Sequence, residues 1–402
     1  MKINSIKEFI SNRKVLFFLF GTFFFMMNIS TSYSVVPVYL ISQNFTLAQI
    51  GISTTIYSLS AIFLRIFLGP LADKKGRKFA LLISSFSFVI SWLFIWLAPN
   101  YEMHLIARFI QAIGLAMYMS SASSVVSDIV DNKILGSCMG IYRGFISIGV
   151  ILGPVYALTL SGIGFNVMFT GIIATSFISF ILITFISETK AAVKELTSVK
   201  KNNIIKDYLV LLKNPRLLRY YLAIMTATSG YGIINTNSAV FLSGLEGVLK
   251  PSTFLFLFGC IGMIASLASG RQTDRHGIKN VIIPGAFLAL SGFYSMAFVE
   301  SFGNLALFVV IIAMGFGTNS LVISSITGIG RETISELKAT SYSIMESAYD
   351  GGFAVGNLIF GLMVTAFGYS QGFLIVGVML TLSYLGIFTG EYVRKRNLAD
   401  NK

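Results

Sequence analysis

The chain has 402 residues, 55% of them apolar and only 12% charged, with 36 phenylalanines, whereas a soluble domain carries about 25% charged residues. That composition excludes a soluble globular protein and makes the lipid bilayer the main solvent of the chain. A net charge of +13 suggests nucleic acid until its distribution along the chain is followed, and that distribution excludes it.

A hydrocarbon core of roughly 30 Å needs an apolar helix of about 20 residues. Twelve such runs follow one another, over 15–41, 47–71, 79–98, 103–126, 135–160 and 164–187, then 217–243, 252–270, 280–299, 303–328, 339–366 and 370–391. The first is longer than a signal-peptide core and no small-residue cleavage site follows it, so it is expected to stay as a membrane helix. It holds Asn28, Ser30, Thr31, Ser32, Tyr33 and Ser34 but no acid.

The second run carries Arg65 and ends in "GPLADKKGRK" from Gly69. Gly69 and Gly76 permit a close helix approach and a tight turn. Asp73 can face the positive N-terminal end of a neighbouring helix, and Lys74, Lys75, Arg77 and Lys78 hold the loop out of the membrane. The fourth run contains "RFIQAIGLA" from Arg108 and closes near Asp128. The fifth, "GIYRGFISIGVILGPVYAL", pairs Gly140 with Gly144 and Gly149 with Gly153, each four residues apart, so one face lets a neighbouring backbone come close. Its Pro154 can bend the helix.

Residues 188–214, the one long charged interruption, divide the runs six and six, and "IIKDYLVLLK" within them can lie as an amphipathic helix on a membrane surface. Beyond it the loop pattern returns: "GRQTDRHGIK" from Gly270 repeats G-x-x-x-D-x-x-G half a chain after Gly69. Two similar six-helix halves, 1–187 and 217–402, joined by a basic linker over 188–216, are the economical explanation. Counting from an internal N-terminus, Arg65, Arg108, Arg143 and Lys250 are the only ones of the 30 lysines and arginines outside the cytoplasmic segments. This is the positive-inside bias of a multi-pass plasma-membrane protein with both termini in the cytoplasm.

Several chemistries are not expected. Cys138 and Cys260 lie in apolar helices, where a thiol is a small hydrophobe rather than half of a disulfide or a metal ligand. His104 and His276 fall on opposite sides of the membrane, too far apart for a metal site or a histidine relay. No G-x-x-x-x-G-K-[ST] signature occurs, no cofactor is implied, and no set of nucleophile and base suggests an enzyme.

These motifs together resemble the major facilitator superfamily over essentially the whole chain: an all-α fold of twelve transmembrane helices in two pseudo-symmetric six-helix bundles. "GPLADKKGRK" is similar to the family's signature loop, with a degenerate copy at Gly270, Asp274 and Gly277. The resemblance implies that Asp73 contacts the start of helix eleven and latches one state, with Arg77 and Asp128 as charge relay. Arg108, Gln111 and Gly114 match the helix-four motif. Gly140, Gly149, Gly153 and Pro154 match most of the helix-five motif of proton-exchanging exporters, departing from it after Pro154 at Ala157 and Leu158.

Five charges lie deep within the membrane runs, away from their ends: Arg65, Arg108, Arg143, Glu346 and Asp350. Each costs at least about 2.5–3.5 kcal/mol at mid-membrane without a partner or a wet cavity. At a rise of about 1.5 Å per residue, Glu346 lies about 12 Å beyond Lys338 and Asp350 about 18 Å. Arg65 is expected to pair with Glu346, and Asp350 and Arg143 to sit nearer a central cavity. Fixed salt bridges are one reading; the other makes Asp350 or Glu346 the proton-coupling group. The expected cavity lining is Asn28, Tyr33, Arg108, Gln111, Tyr118 and Arg143 with Tyr231, Asn235, Asn237 and Asn319. Two arginines there favour an anionic or zwitterionic substrate.

The function expected is monomeric secondary transport: export of a small organic molecule, a drug-like compound or an anionic or zwitterionic metabolite such as a metallophore, in exchange for protons or Na⁺. The expected partners are that substrate, the ion and membrane lipids. An importer of a sugar or organic acid is the nearest alternative, and a non-transporting membrane sensor a more distant one.

Overall fold

The computed structural model describes residues 3–98, 100–189 and 204–400. Residues 190–203, about half of the linker expected over 188–216, lie outside the described residues, as do the last two residues of the C-terminal tail. Among the described residues the chain is almost entirely helical, and the one β-type pairing is an isolated parallel bridge between Ile3 and Val130.

Twelve long helices follow in order: α1 Arg13–Ser42, α2 Leu47–Lys75, α3 Arg77–Leu97, α4 Tyr101–Ile129, α5 Leu135–Ile163 and α6 Phe165–Thr184, then α7 Pro215–Ser243, α8 Pro251–His276, α9 Ile278–Ser295, α10 Gly315–Glu332, α11 Lys338–Phe367 and α12 Tyr369–Asp400. A short α-helix, Asn304–Val309, and a π turn, Val310–Met314, lead into α10. Among the described residues eleven helices are long and apolar enough to cross a membrane. The helix not counted among them, α7, is as long at 29 residues, but Arg216, Arg219, Asn235, Thr236 and Asn237 dilute its apolar character.

Capping side chains fix where the helices start. Thr46 and Gln49 form a capping box at α2, Asn100 caps α4, and Asn214 precedes Pro215 at the start of α7, each satisfying backbone N–H groups that have no partner inside the helix. Between α2 and α3 the chain reverses at Gly76, whose φ of 112° suits glycine. The Glu188 carboxylate then accepts the N–H groups of Arg77 and Lys78 at 2.9 and 3.1 Å. Gly277, φ 81°, makes the same turn between α8 and α9.

The chain divides into two compact units, residues 1–211 with 333–344, and 212–332 with 345–402. In the first, the Phe25 ring stacks on Tyr118 at 3.7 Å and meets Phe88 at 4.7 Å. The short helix Ile204–Lys213 buries Leu211 and donates from the Tyr208 hydroxyl to the Arg65 carbonyl at 3.1 Å. Burial, with the Asp73 charge adding to it, pushes the Tyr208 phenol above its ordinary value. In the second unit Phe254, Phe258, Phe293, Phe360 and Phe373 form the centre of an apolar core.

Glycines bring backbones together in both units. A Cβ on Gly149 would stand 2.5 Å from the Phe23 carbonyl, and one on Gly153 would collide with the Met27 carbonyl, so α5 lies directly on α1. Gly352 and Gly356 of α11 meet Met225 and Ser229 of α7 in the same way. Gly149→Val is therefore expected to destabilise by about 1–3 kcal/mol through overpacking against a carbonyl that cannot yield. A melting curve in detergent reads this, and an unchanged midpoint would show that α1 and α5 separate freely.

Candidate functional site

The loop after α2 builds the first of two buried polar clusters in the first unit. Asp73 accepts the backbone N–H of Ala339 at 3.0 Å, that of Thr340 at 2.8 Å and the Thr340 hydroxyl at 2.6 Å. A helix start has N–H groups without partners and a positive dipole end, so the carboxylate of α2 caps α11 from outside. Gly69 makes the approach possible, because a side chain there would strike Ser343.

Arg77, 1% exposed, pairs with Asp73 at 2.7 Å and with Asp128 of α4 at 3.3 Å. It also donates to the Ala72 and Ser335 carbonyls at 3.1 and 2.9 Å. Lys338 completes the set, 3.2 Å from Asp128 and donating to the Ser127 carbonyl at 2.9 Å. Two carboxylates thus balance two cations out of water, with further hydrogen bonds around them, as a buried ion cluster requires. The repeat in the second unit is simpler: Asp274 pairs with Arg331 of α10 at 2.8 Å.

The second cluster surrounds Arg108 of α4, which is 1% exposed. Its guanidinium donates to Ser32 and Gln111 and to the Ser53 carbonyl at 3.5 Å. It lies 4.3 Å from the centroid of the Tyr57 ring. Ser32 donates to the Gln111 Oε1 at 2.8 Å, and the Ser53 hydroxyl meets His104 Nε2 at 2.8 Å. Among the described residues no carboxylate forms an ion pair with Arg108. The amide Nε2 of Gln111 and Nδ1 of His104 are buried beside it without hydrogen-bond partners. A buried cation next to an unused amide donor is arranged to receive an anion.

The other expected site residues are more scattered. Arg143 is 9% exposed and stands 5.9 Å from the Tyr142 ring. Arg65 is buried in the first unit, and Glu346 is buried in the second, where Asp350 is half-buried. Tyr33 is 42% exposed, with its hydroxyl 3.5 Å from Ser58. Tyr231 stacks on Phe258 at 5.6 Å, and Asn235 donates to the Tyr231 carbonyl at 3.1 Å. Asn237 reaches Asn357 at 2.8 Å.

Three residues expected on the cavity are engaged elsewhere. Asn28 donates to Thr175 at 3.2 Å and accepts from Ser176 at 2.7 Å, which ties α1 to α6. Tyr118 is fully buried between Phe25 and Thr22. Asn319 accepts from Ser266 and donates to the Gly315 carbonyl, joining α10 to α8. In each case the need to satisfy a polar group inside an apolar bundle accounts for the position. Sequence reasoning did not find Lys338, Thr340, Ser53, Tyr57 or the role of His104, whose partners are distant in the chain.

A family model described as Major Facilitator Superfamily matches residues 18–329 and, in a second match, 252–402. The multidrug resistance protein MdtG of Salmonella paratyphi C is 25% identical over 363 residues, 86% of each chain. MdtG of Salmonella typhimurium is 26% identical over 362 residues, again 86% of each. Among solved structures, the human organic anion transporter MFSD10 superposes with a TM-score of 0.78 at 15% identity, over 93% of this chain and 99% of that one. The Escherichia coli fucose:proton symporter FucP gives 0.75 at 14% identity, over 94% and 99%. With its motifs, its helices and this match in agreement, the chain belongs to the Major Facilitator Superfamily and is a multi-pass membrane transporter of small molecules rather than an enzyme.

Proposed function

We propose that this protein exports a small anionic or zwitterionic organic molecule from the cytoplasm in exchange for protons, by alternating access. The observation that carries it is Arg108: a buried cation, without a carboxylate partner among the described residues, beside an unused amide donor. Such a site is costly to keep empty and is compensated when an anionic group enters.

The direction of transport rests on other support. The glycine faces of α5 and α11 set against α1 and α7 suit two matched pairs of moving helices, and the two Salmonella relatives carry the name multidrug resistance protein. In this reading the halves 1–187 and 217–402 rock about the linker, both termini are cytoplasmic, and the protein works as a monomer in the plasma membrane. The Asp73 capping of α11 holds one state. Asp350 carries the proton, with Glu346 coupled to it one helical turn away, and Arg65 and Arg143 balance the acids in their ionised forms.

Everted membrane vesicles with an acidified lumen test the proposal. A transported compound added outside is expected to release luminal protons, seen as recovery of a quenched acridine dye, and Asp350→Asn is expected to abolish the recovery. Substrate that leaves the lumen together with the protons, with none accumulated from outside, would establish import instead. Flux that follows only an imposed Na⁺ gradient would replace the ion, and ligand binding with no flux under any gradient would leave a sensor.

A further inference from the structure

The two units differ where the first and last helices of each repeat meet. In the first, α1 and α6 are joined along their length. Lys14 donates to Ser187 at 2.7 Å, Ser179 to the Gly21 carbonyl at 2.8 Å, and Asn28 bonds to Thr175 and Ser176. In the second, the corresponding α7 and α12 meet at one end, where Phe241 packs on Tyr369 and Phe373 at 5.0 and 5.7 Å. Towards the other end they part around a cleft of about 1060 Å³ with α11 as its floor.

The cleft has a graded lining. Its walls are apolar, with Leu222 and Met225 from α7, Leu382 from α12 and Val355 from α11; Leu222 and Leu382 are exposed. A Cβ on Gly386 would meet nothing. The cleft cannot be closed by drawing α7 further onto α11, because Gly352 and Gly356 already hold those backbones in contact. Among the described residues its mouth, at the start of α7, carries Arg216 and Arg219 against one acid, Glu332, which lies 3.2 Å from Arg216.

We propose that this cleft binds an anionic phospholipid, with its acyl chain along the leucine walls and its phosphate at Arg216 and Arg219. Water gains few hydrogen bonds from walls that are mostly apolar, with the Thr226, Ser229 and Ser383 hydroxyls among them, whereas a chain surrounded by bilayer has hydrocarbon at hand to fill them. The excess of cations over acid at the mouth selects the headgroup, as basic pockets between membrane helices do.

The test uses the purified, delipidated full-length protein in neutral detergent. Phosphatidylglycerol and phosphatidylcholine with the same acyl chains are titrated in, and melting midpoints are read alongside native mass spectra of retained lipid. Phosphatidylglycerol is expected to raise the midpoint more and to be retained. Arg216→Gln with Arg219→Gln is expected to weaken its effect by about tenfold or more while leaving phosphatidylcholine unchanged. Glu332→Gln is expected to strengthen it, a gain that misfolding cannot imitate, and Ser383→Trp to reduce retention of both lipids by filling the cleft.

Equal responses to the two lipids in the wild type would overturn the proposal, as would an arginine pair whose loss has no effect. An equal shift from glycerol phosphate would make the mouth a plain anion site. If the transported compound, and not lipid, lost its midpoint shift in the arginine variants, the cleft would belong to the substrate.

Discussion

Arg108→Met is expected to leave the ligand-free protein at least as stable as the wild type while weakening substrate binding by at least about thirtyfold, the lower end of what truncating one partner of a buried charge pair costs. The two effects have opposite signs for a physical reason. Arg108 is a buried charge without a carboxylate partner among the described residues, so removing it relieves a desolvation cost. Little is orphaned in return, since Ser32 and Gln111 keep their own hydrogen bond at 2.8 Å. The methionine chain occupies the volume below the Tyr57 ring. A substrate anion, by contrast, loses a guanidinium and its forked donors. Arg108→Lys is expected to fall between the two, retaining charge but not the fork. Paired melting curves and binding titrations measure this. A variant that unfolds would make Arg108 a structural residue, and undiminished binding would place the substrate elsewhere.

Some of this architecture was legible in the sequence because local physics determines it. The bilayer sets the length of an apolar run, so the twelve helices could be read directly, and the paired loops at Gly69 and Gly270 indicated a repeat. The loop motif also carried the resemblance that pointed Asp73 towards the start of α11. The remainder depended on which face of a helix a polar residue occupies. Asn28, Tyr118 and Asn319 have the composition of a cavity lining, yet each satisfies its hydrogen bonds within the helix packing. Ser53 and His104 look unremarkable in sequence, and they acquire meaning only when α2 brings one beside the other. The cleft between α7 and α12 left no trace either, because a helix that closes a seam and one that leaves it open are equally apolar.

Asp73→Asn is expected to loosen the start of α11 while the helices themselves remain folded. The wild-type carboxylate accepts three hydrogen bonds from Ala339 and Thr340 and pairs with Arg77. An asparagine amide turns one oxygen into a donor facing a donor, and its neutrality leaves Arg77 and Lys338 opposite Asp128 alone. Hydrogen bonds to charged groups contribute about 1.5–3 kcal/mol each, so losing one or two shifts a two-state equilibrium by roughly tenfold or more. Ser343, 1% exposed against Gly69, provides the readout. With Cys138 and Cys260 replaced by serine and Ser343→Cys introduced, thiol labelling is expected to accelerate about tenfold in Asp73→Asn, following that shift in population. Thr340→Val, which removes only the hydroxyl bond, is expected to give a smaller acceleration in the same direction. If labelling stayed slow in both variants although transport was lost, Asp73 would be holding the fold and not choosing between states.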